Sequence, residues 1–283
     1  VTGSYGKTSV KEWIAGICRH FGKTHASNKS YNCFPGLPFT LANTPLDTKY
    51  AVIEVGMNHP GEIAPLAELT QPDIALITVV GRAHIAHLGS EENIVNEKTD
   101  IFKGLSKNGF AIYPSELRSF QILSAKLSHL PQDHQISFGE DGKSQLQLRQ
   151  AEQIDGETSI SLLLQGREFQ FTIPLVGKHW TYNSMAVFAC CVKAGISPED
   201  VINPLTHFRG IPGRGLQHLV QLSTGGFIRV LNDCYNAGPE SMRAAIQTLA
   251  KTPLPCSGGR RIAVLGDMYE QGENTIKIHQ AVA

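Results

Sequence analysis

The feature that most constrains this chain is its opening segment, Thr2-Gly3-Ser4-Tyr5-Gly6-Lys7-Thr8-Ser9, which leads directly into a stretch with helical periodicity. Such a segment is typical of the end of a phosphate-binding loop, where backbone N–H groups and a helix N-terminus converge on phosphate oxygens. In that interpretation Lys7 neutralises the outer phosphates and the Thr8 hydroxyl is a ligand of Mg²⁺. The common form has glycine where Val1 stands, so the segment is a variant. The alternative is a glycine-rich turn that only caps a helix.

Short apolar runs alternate with helical stretches after this segment, which is the pattern of βαβ units around a parallel sheet. Strand-sized runs cover residues 50–55, 74–80 and 109–113. Helical periodicity covers residues 8–21, 61–69, 94–105 and 116–130. The sequence therefore predicts an α/β fold built on a parallel sheet.

The pattern changes between residues 135 and 174, where short runs are separated by Asp-Gly and Gln-Gly pairs. Runs at 145–149, 159–164 and 169–173 predict the hairpins of a small antiparallel β layer. Helices are expected next, at 182–193 and 198–206.

The densest Pro/Gly segment, residues 209–215, predicts a boundary between a domain at 1–208 and another at 209–283. Beyond it, a strand at 227–232, a helix at 239–250 and a strand at 261–265 predict an incomplete Rossmann-like α/β domain. The chain begins with Val1 and ends inside a helical pattern at Ala283, so we expect a fragment.

Composition excludes several classes of function. Basic and acidic residues number 25 each, so no diffuse charge attracts nucleic acid or an anionic membrane. The apolar runs are far shorter than the roughly 20 residues that span a bilayer, and no export signal is visible. The six cysteines lack a Cys-x-x-Cys spacing, which favours free thiols and a cytoplasmic protein.

Two residues at predicted strand ends could serve a metal ion. Glu54 stands inside an otherwise apolar strand, where an unpaired carboxylate is costly to bury. His84 follows the next strand, at the edge of the sheet where α/β proteins bind ligands. Mg²⁺ over a triphosphate needs few protein ligands, so these two could suffice. The alternatives are a Glu54 paired with a core lysine and a structural histidine.

Several motifs, in order, resemble those of the Mur ligases, the ATP-dependent amide-forming enzymes of peptidoglycan assembly. They are the opening loop, Glu54-Val55-Gly56-Met57-Asn58-His59-Pro60-Gly61-Glu62, His84 with Leu88-Gly89-Ser90, Gly177-Lys178-His179 with Asn183, Pro212-Gly213-Arg214, and Asp233-Cys234-Tyr235-Asn236-Ala237 with Ser241-Met242. Within the family, Val264-Leu265-Gly266-Asp267-Met268-Tyr269-Glu270-Gln271-Gly272 with His279 is similar to the member that adds D-alanyl-D-alanine to the UDP-muramoyl tripeptide.

The resemblance implies a three-domain, ADP-forming ligase of cell-wall synthesis, of which this chain would hold the central domain and part of the last. The implied cofactors are ATP and Mg²⁺, and the implied partners are the two substrates of a monomeric enzyme. The carried-over nucleotide-binding residues are Gly3, Ser4, Gly6, Lys7, Thr8, Ser9, Asn183, Arg214 and Asp233. The metal ligands are Thr8, Glu54, His84 and Lys98, the catalytic residues Lys7, Glu54, His84 and Lys98, and the substrate residues Asn32, Tyr235 and Asn236.

Lys98 matches the lysine that is carbamylated in related Mur ligases, although an exposed helical lysine beside Glu97 fits the pattern equally well. Asp233 could instead cap a helix and Arg214 could be a surface residue of the linker. Asn183 and His179 could be a pair that satisfies backbone groups at a helix start. The sequence also departs from the family, with Trp180 where asparagine is common and Cys33 in place of an asparagine beside Asn32.

The implied reaction activates a peptide carboxylate with ATP as an acyl phosphate, which the amine of the dipeptide then attacks. Three alternatives stay open. They are a sister ligase, such as the third-residue-adding enzyme or folylpolyglutamate synthase, a different P-loop NTPase, and a fragment that binds nucleotide without catalysis.

Overall fold

The computed structural model describes residues 1–28, 31–81, 83, 85–119, 121–254 and 258–283. The strands are β1 (Thr24–Ala26), β2 (Tyr50–Val52), β3 (Ile74–Leu76), β4 (Phe110–Pro114), β5 (Gln135–Gly139), β6 (Leu146–Ile154), β7 (Glu157–Leu164), β8 (Arg167–Ile173), β9 (Leu216–Gln221) and β10 (Phe227–Asn232). The α-helices are α1 (Lys7–Cys18), α2 (Gly36–Ala42), α3 (Ile63–Thr70), α4 (Ile85–Leu88), α5 (Glu91–Thr99), α6 (Gln121–Leu127), α7 (Lys178–Lys193), α8 (Pro198–Leu205), α9 (Pro239–Lys251) and α10 (Thr275–Val282). Short 3₁₀ turns lie at Asp100–Gly104, Ser115–Ser119, Gln132–His134 and Gly272–Asn274.

A mixed sheet of order β3-β4-β5-β6-β7-β8 dominates the first 173 residues. Strands β3 to β6 run parallel, and β6, β7 and β8 form an antiparallel meander. The predicted α/β class, with its parallel sheet and antiparallel layer, is confirmed. Strand β5 differs from the prediction. The sequence predicts an antiparallel layer from residue 135 onward, but β5 pairs in parallel with β4.

The first residues of the chain join this sheet to the parallel pair β1–β2. The Val1 nitrogen donates to the Ile53 carbonyl at 2.8 Å on one side, and the Thr2 N–H donates to the Leu76 carbonyl at 2.8 Å on the other. Thr78 N–H returns a bond to the Thr2 carbonyl. The opening segment therefore leaves the centre of the combined sheet.

Helices cover both faces of the sheet, which explains the short apolar runs. In β4, Ile112 packs into a core formed with α1 and α7, while Ala111 and Tyr113 pack into a second core formed with α3 and α5. This is the period of two expected for a strand with both faces buried. Because each face has its own helices, the sheet edge that holds the opening loop is fixed from both sides.

Several predicted elements differ from the structure. Strands β2 and β3 end at Val52 and Leu76, so Glu54 follows its strand, and the expected helix at 94–105 is divided into α5 and a 3₁₀ turn. The expected strand at 261–265 is wrong: no strand is assigned there, and Val264 is 94 % exposed. An apolar run becomes a strand only when a neighbour pairs with it, and the described residues provide none. The expected helix at 116–130 is split into the 3₁₀ turn Ser115–Ser119 and α6.

The division at residues 208 and 209 stays a prediction. After the linker, β9 and β10 form an antiparallel hairpin, followed by α9 and α10. Within the described ranges, no helix is both long and apolar enough to cross a membrane.

The packing of the turn Asp100–Gly104 on α3 gives the first prediction. A methyl group on Gly104 would lie 2.1 Å from the Ala67 carbonyl oxygen. Gly104→Ala should therefore lower the free energy of unfolding by about 2–3 kcal/mol, measured by urea denaturation. Gly142→Ala is the matched control, because nothing lies within 4 Å of its added methyl. Equal stability of the two variants would contradict this packing.

Candidate active site

The opening loop is fastened to the end of β3. The Ser4 N–H donates to the Val79 carbonyl at 2.7 Å, and its hydroxyl donates to the Gly81 carbonyl at 3.0 Å. Gly3 has φ +147°, and a side chain there would lie 2.0 Å from the Thr78 hydroxyl oxygen. The two hydrogen bonds of Ser4 therefore fix the loop to the segment that follows β3, and only glycine fits at position 3.

Helix α1 begins where the loop ends. Gly6, with φ 81°, precedes Lys7 in the left-handed region, and no side chain among the described residues caps the helix. The N–H groups of the first turn, which includes Thr8 and the buried Ser9, are therefore available to an anion. A Cβ on Gly6 would lie 2.6 Å from Asn183 Oδ1, so Asn183 of α7 lies against the loop. Its role as a nucleotide contact stays a prediction.

Lys7 lies inside the loop with its Nζ donating to the Gly3 carbonyl at 2.9 Å. Burial lowers the pKa of Lys7, the Glu54 charge raises it, and the Arg214 charge lowers it further. The ammonium group thus stands within the field of both charges, one from the segment that follows β2 and one from the linker. A phosphate group beside Lys7 would replace the loop carbonyl as its partner and stabilise its charged form.

Glu54 is the most informative residue of the site, because it is only 1 % exposed. Its Oε1 accepts from Asn32 Nδ2 at 2.8 Å and from the Thr8 hydroxyl at 3.3 Å. Its Oε2 is buried without a hydrogen-bond partner in the described part of the chain. Among the described residues Glu54 forms no ion pair with a lysine, since the direct partners of its carboxylate are the Asn32 amide and the Thr8 hydroxyl.

The oxygen atoms of Glu54 and Thr8 fit a divalent cation. A buried carboxylate oxygen without a partner, beside a hydroxyl at a helix start, offers the hard oxygen ligands that Mg²⁺ prefers. No group of three or more His, Cys, Asp or Glu side chains suited to a metal occurs in the ranges described. A site with two protein oxygens therefore depends on phosphate oxygens and water for its other ligands. The predicted ligand His84 lies outside the described residues.

Lys98 is buried, at 1 % exposure, so the alternative of an exposed helical lysine is wrong. Burial lowers the pKa of Lys98 well below its usual value, and the Lys7 charge lowers it further. No hydrogen-bond acceptor for Lys98 is found in the described part of the chain. Its neighbour Glu97 accepts from the Gly61 and Ile63 N–H groups at 2.7 and 2.9 Å, which anchors α5 to the start of α3.

Arg214 of the linker acts on the loop, and Asp233, which follows β10, lies within the field of Arg214. Arg214 lies over the Tyr235 ring, 4.1 Å from its centroid, and its charge acts on both Lys7 and Asp233. Partial burial raises the pKa of Asp233, and Arg214 opposes that shift. Asp233 does not cap α9, whose N-cap is Gly238.

The predicted substrate residues are divided by the structure. Asn32 lies beside Glu54 and orients that carboxylate, whereas Tyr235 and Asn236 are exposed in the segment after β10. Tyr235 is 56 % exposed, and its N–H donates to the Gly213 carbonyl. Their contact with a substrate stays a prediction.

Trp180 explains one departure from the family pattern. Its ring stacks on Trp13 with centroids 5.3 Å apart, and a Cβ on Gly215 would lie 2.6 Å from it. The side chain at this position therefore supports the linker. Burial lowers the pKa of the adjacent His179 to about 4, so that ring stays neutral near pH 7.

Sequence reasoning missed several positioning residues. Ser27 accepts from the Glu54 N–H at 2.9 Å, and Thr78 donates to the loop carbonyl of Tyr5. The sequence indicates Glu97 only as a neighbour of Lys98, not as the residue that holds the start of α3. A buried Glu-Lys pair leaves no distinctive signal in a polar helical stretch, because its burial depends on contacts with distant segments.

The chain is similar to known proteins along nearly its whole length. The family model of the Mur ligase middle domain matches residues 1–191, and that of the Mur ligase glutamate ligase domain matches residues 218–283. The UDP-N-acetylmuramoyl-tripeptide–D-alanyl-D-alanine ligase of Bacillus subtilis is 34 % identical over 280 residues, or 99 % of this chain and 58 % of that protein. The enzyme of that name from Rickettsia prowazekii is 31 % identical over 99 % of this chain and 60 % of its own length.

A solved structure is similar over the whole chain. The crystal structure of MurF from Acinetobacter baumannii superposes with a TM-score of 0.86 at 28 % identity, covering 99 % of this chain and 59 % of that one. The present chain thus spans less than two thirds of the length of the relatives it matches.

The buried amine of Lys98 gives the second prediction. Its pKa is lower in the folded than in the unfolded chain, so protonation favours unfolding, and wild-type stability should fall as pH drops below about 10.4. Lys98→Met removes this cost and should raise the free energy of unfolding by about 1–4 kcal/mol near pH 7. The gain should shrink near pH 10. Urea denaturation in carbon-dioxide-free buffer measures both.

Lys11→Met is the matched control, because Lys11 is equally buried but donates to the Ser27 carbonyl at 2.7 Å and contacts Glu12. Its loss should lower stability. A Lys98→Met protein less stable than wild type at both pH values would show that the amine has a stabilising partner.

Proposed function

This chain belongs to the Mur ligase family, and from that premise we propose that it supplies the ATP site of a peptidoglycan-precursor ligase. The proposed reaction joins D-alanyl-D-alanine to UDP-N-acetylmuramoyl-tripeptide, the activity named for the Bacillus subtilis and Rickettsia relatives. The observation that supports it best is the partnerless oxygen of buried Glu54 beside Thr8, at the start of a helix that a phosphate-binding loop opens.

In the proposal the loop and the first turn of α1 hold the ATP phosphates with their N–H groups. The Lys7 ammonium, which donates to the Gly3 carbonyl, would donate to a phosphate oxygen instead when ATP is bound. Thr8, Glu54 and His84 would hold Mg²⁺, which supplies positive charge that stabilises the transferred phosphoryl group. Asn32 keeps Glu54 oriented by donating to it.

Residues of the linker and of the segment after β10 are proposed to complete the nucleotide site. Arg214 and Asp233 are proposed to hold the nucleotide, because the Arg214 charge already acts on Lys7 across the gap between them. Asn183 is proposed to contact it beside Gly6. Tyr235, whose ring lies under Arg214, and the exposed Asn236 are proposed to face the incoming substrate.

Lys98 is proposed to be carbamylated. An unprotonated amine attacks the carbon of carbon dioxide, the nitrogen releases one proton to solvent, and the product is an anionic carbamate that could hold a second cation. Burial and the Lys7 charge both favour the unprotonated amine. The resulting anion would then offset the buried positive charge of Lys7.

The reaction follows from these placements. A carboxylate oxygen of the peptide attacks the γ-phosphorus of ATP, ADP leaves, and an acyl phosphate forms. The dipeptide amine attacks the acyl carbon, the amide forms, and phosphate leaves as the nitrogen loses a proton. Lys7 neutralises developing charge on the phosphoryl oxygens during the first step. The proposed setting is a monomeric, cytoplasmic enzyme.

A second candidate is nucleotide binding without ligation by this chain alone. It is favoured by one fact, that the chain spans 58 % of its Bacillus subtilis relative. The two candidates share the ATP site and differ only in whether both substrates are joined.

The third prediction concerns Lys7. Lys7→Ala should weaken binding of a non-hydrolysable ATP analogue about ten- to a hundredfold, because a charge-assisted contact to phosphate is lost. Isothermal titration calorimetry measures this on the chain itself. Lys23→Ala is the control, because Lys23 follows the opposite end of α1 and is exposed beside Asp47. Unchanged affinity in Lys7→Ala would overturn the assignment of the loop.

Phosphate release then separates the candidate functions. Release from ATP that requires both UDP-N-acetylmuramoyl-tripeptide and D-alanyl-D-alanine supports the ligase. Release with a different amino acid or with folate and glutamate indicates a sister ligase. Tight nucleotide binding without release under any of these conditions indicates the second candidate.

A further inference from the structure

Tyr5, in the middle of the phosphate loop, contacts the start of α9. Its hydroxyl donates to Glu240 Oε2 at 2.8 Å, across 235 residues of sequence. Its ring lies between two glycines: a Cβ on Gly81 would be 2.9 Å from the ring, and a Cβ on Gly238 would be 2.7 Å from the hydroxyl oxygen. The loop and the C-terminal part of the chain, residues 216–283, therefore meet at one side chain.

This contact is built from complementary shapes. Gly238 has φ −134°, which any residue adopts, so its lack of a side chain is explained by the space that Tyr5 occupies. Glu240 lies in the first turn of α9, where the helix dipole stabilises its negative charge. Burial and the Glu240 charge raise the pKa of Tyr5, so the hydroxyl stays protonated and donates.

The backbone of Tyr5 is held as well. Its carbonyl accepts from the Thr78 hydroxyl, so one side of the residue is fixed to the β3 end and the other to α9. The neighbouring Gly6 and Lys7 start the helix whose N–H groups face the proposed phosphates. A change in the position of Tyr5 would therefore also move the N–H groups that are proposed to bind the nucleotide.

We propose that Tyr5 and Glu240 form a latch, whose hydrogen bond docks the C-terminal part on the phosphate loop so that docking and nucleotide binding favour each other. The inference rests on the proposed function for the identity of the ligand, a nucleoside triphosphate. Tyr5 is a positioning residue here, because it orders the loop and contacts no reacting atom.

The size of the effect follows from the hydrogen bond. Its loss should weaken docking by roughly three- to tenfold. Thermodynamic linkage then requires nucleotide affinity to fall by up to the same factor, and requires nucleotide to stabilise docking in the intact latch. A residue with a merely structural role would show neither the reciprocal effect nor dependence on Glu240.

The test compares Tyr5→Phe, Glu240→Gln and the double variant with wild type. Docking is followed by the rate of tryptic cleavage in the linker, where Arg209 is exposed, with and without a non-hydrolysable ATP analogue. We expect faster cleavage and roughly three- to tenfold weaker analogue binding in each single variant. The double variant should be no worse than either single one, because both remove the same bond.

Tyr182→Phe is the matched control. The Tyr182 hydroxyl donates to Glu116 at 3.0 Å, so the same atom is removed from a tyrosine–glutamate bond that lies within residues 1–208. Cleavage of the linker and analogue affinity should stay at wild-type values in this variant.

Gly238→Ala tests the packing without removing a hydrogen-bonding group. The added methyl should push Tyr5 away, speed cleavage and weaken analogue binding, and Tyr5→Ala in the same chain should remove the clash that Gly238→Ala adds. Wild-type cleavage and affinity in Tyr5→Phe, or additive effects in the double variant, would overturn the latch alone. A wild-type chain that binds no nucleotide analogue would contradict the proposed function together with the latch.

Discussion

The carboxylate of Glu54 determines how the rest of the site must be arranged. It is buried in the segment that follows β2, with one oxygen bonded to Asn32 and Thr8 and the other without a partner among the described residues. Burying an ionised carboxylate in this way costs several kcal/mol unless a cation or further donors compensate it. The sheet, the loop and α1 bring the Thr8 hydroxyl to the other carboxylate oxygen and place the Lys7 ammonium within the field of the carboxylate, which is the arrangement that a phosphate-bound Mg²⁺ would complete.

The fold serves this placement by fixing the loop on every side. Val1 and Thr2 pair with both neighbouring strand ends, Ser4 and Gly3 close against the β3 end, and Asn183 lies against Gly6. The linker adds Arg214 from one direction and α9 adds Glu240 from another. Because these contacts come from distant parts of the chain, the loop can respond to the position of the C-terminal part.

Much of this arrangement could be predicted from the sequence, because it depends on local patterns. The loop, the buried Glu54 and the parallel sheet follow from glycine spacing and from one acid inside an apolar run. The burial of Lys98 and the Tyr5–Glu240 contact could not be predicted, since both depend on segments that meet only in the folded chain. The wrong strand at 261–265 has the same cause, because an apolar run does not reveal whether a pairing partner lies beside it.

We propose that Glu54 holds a divalent cation against bound phosphates. The most direct measurement is the affinity for a non-hydrolysable ATP analogue with Mg²⁺ and with a chelator, in wild type and Glu54→Gln. Mg²⁺ should strengthen the affinity of wild type for the analogue by about tenfold or more, and Glu54→Gln should lose this dependence on Mg²⁺. A Glu54→Gln protein that keeps the full effect of Mg²⁺ would contradict this proposal.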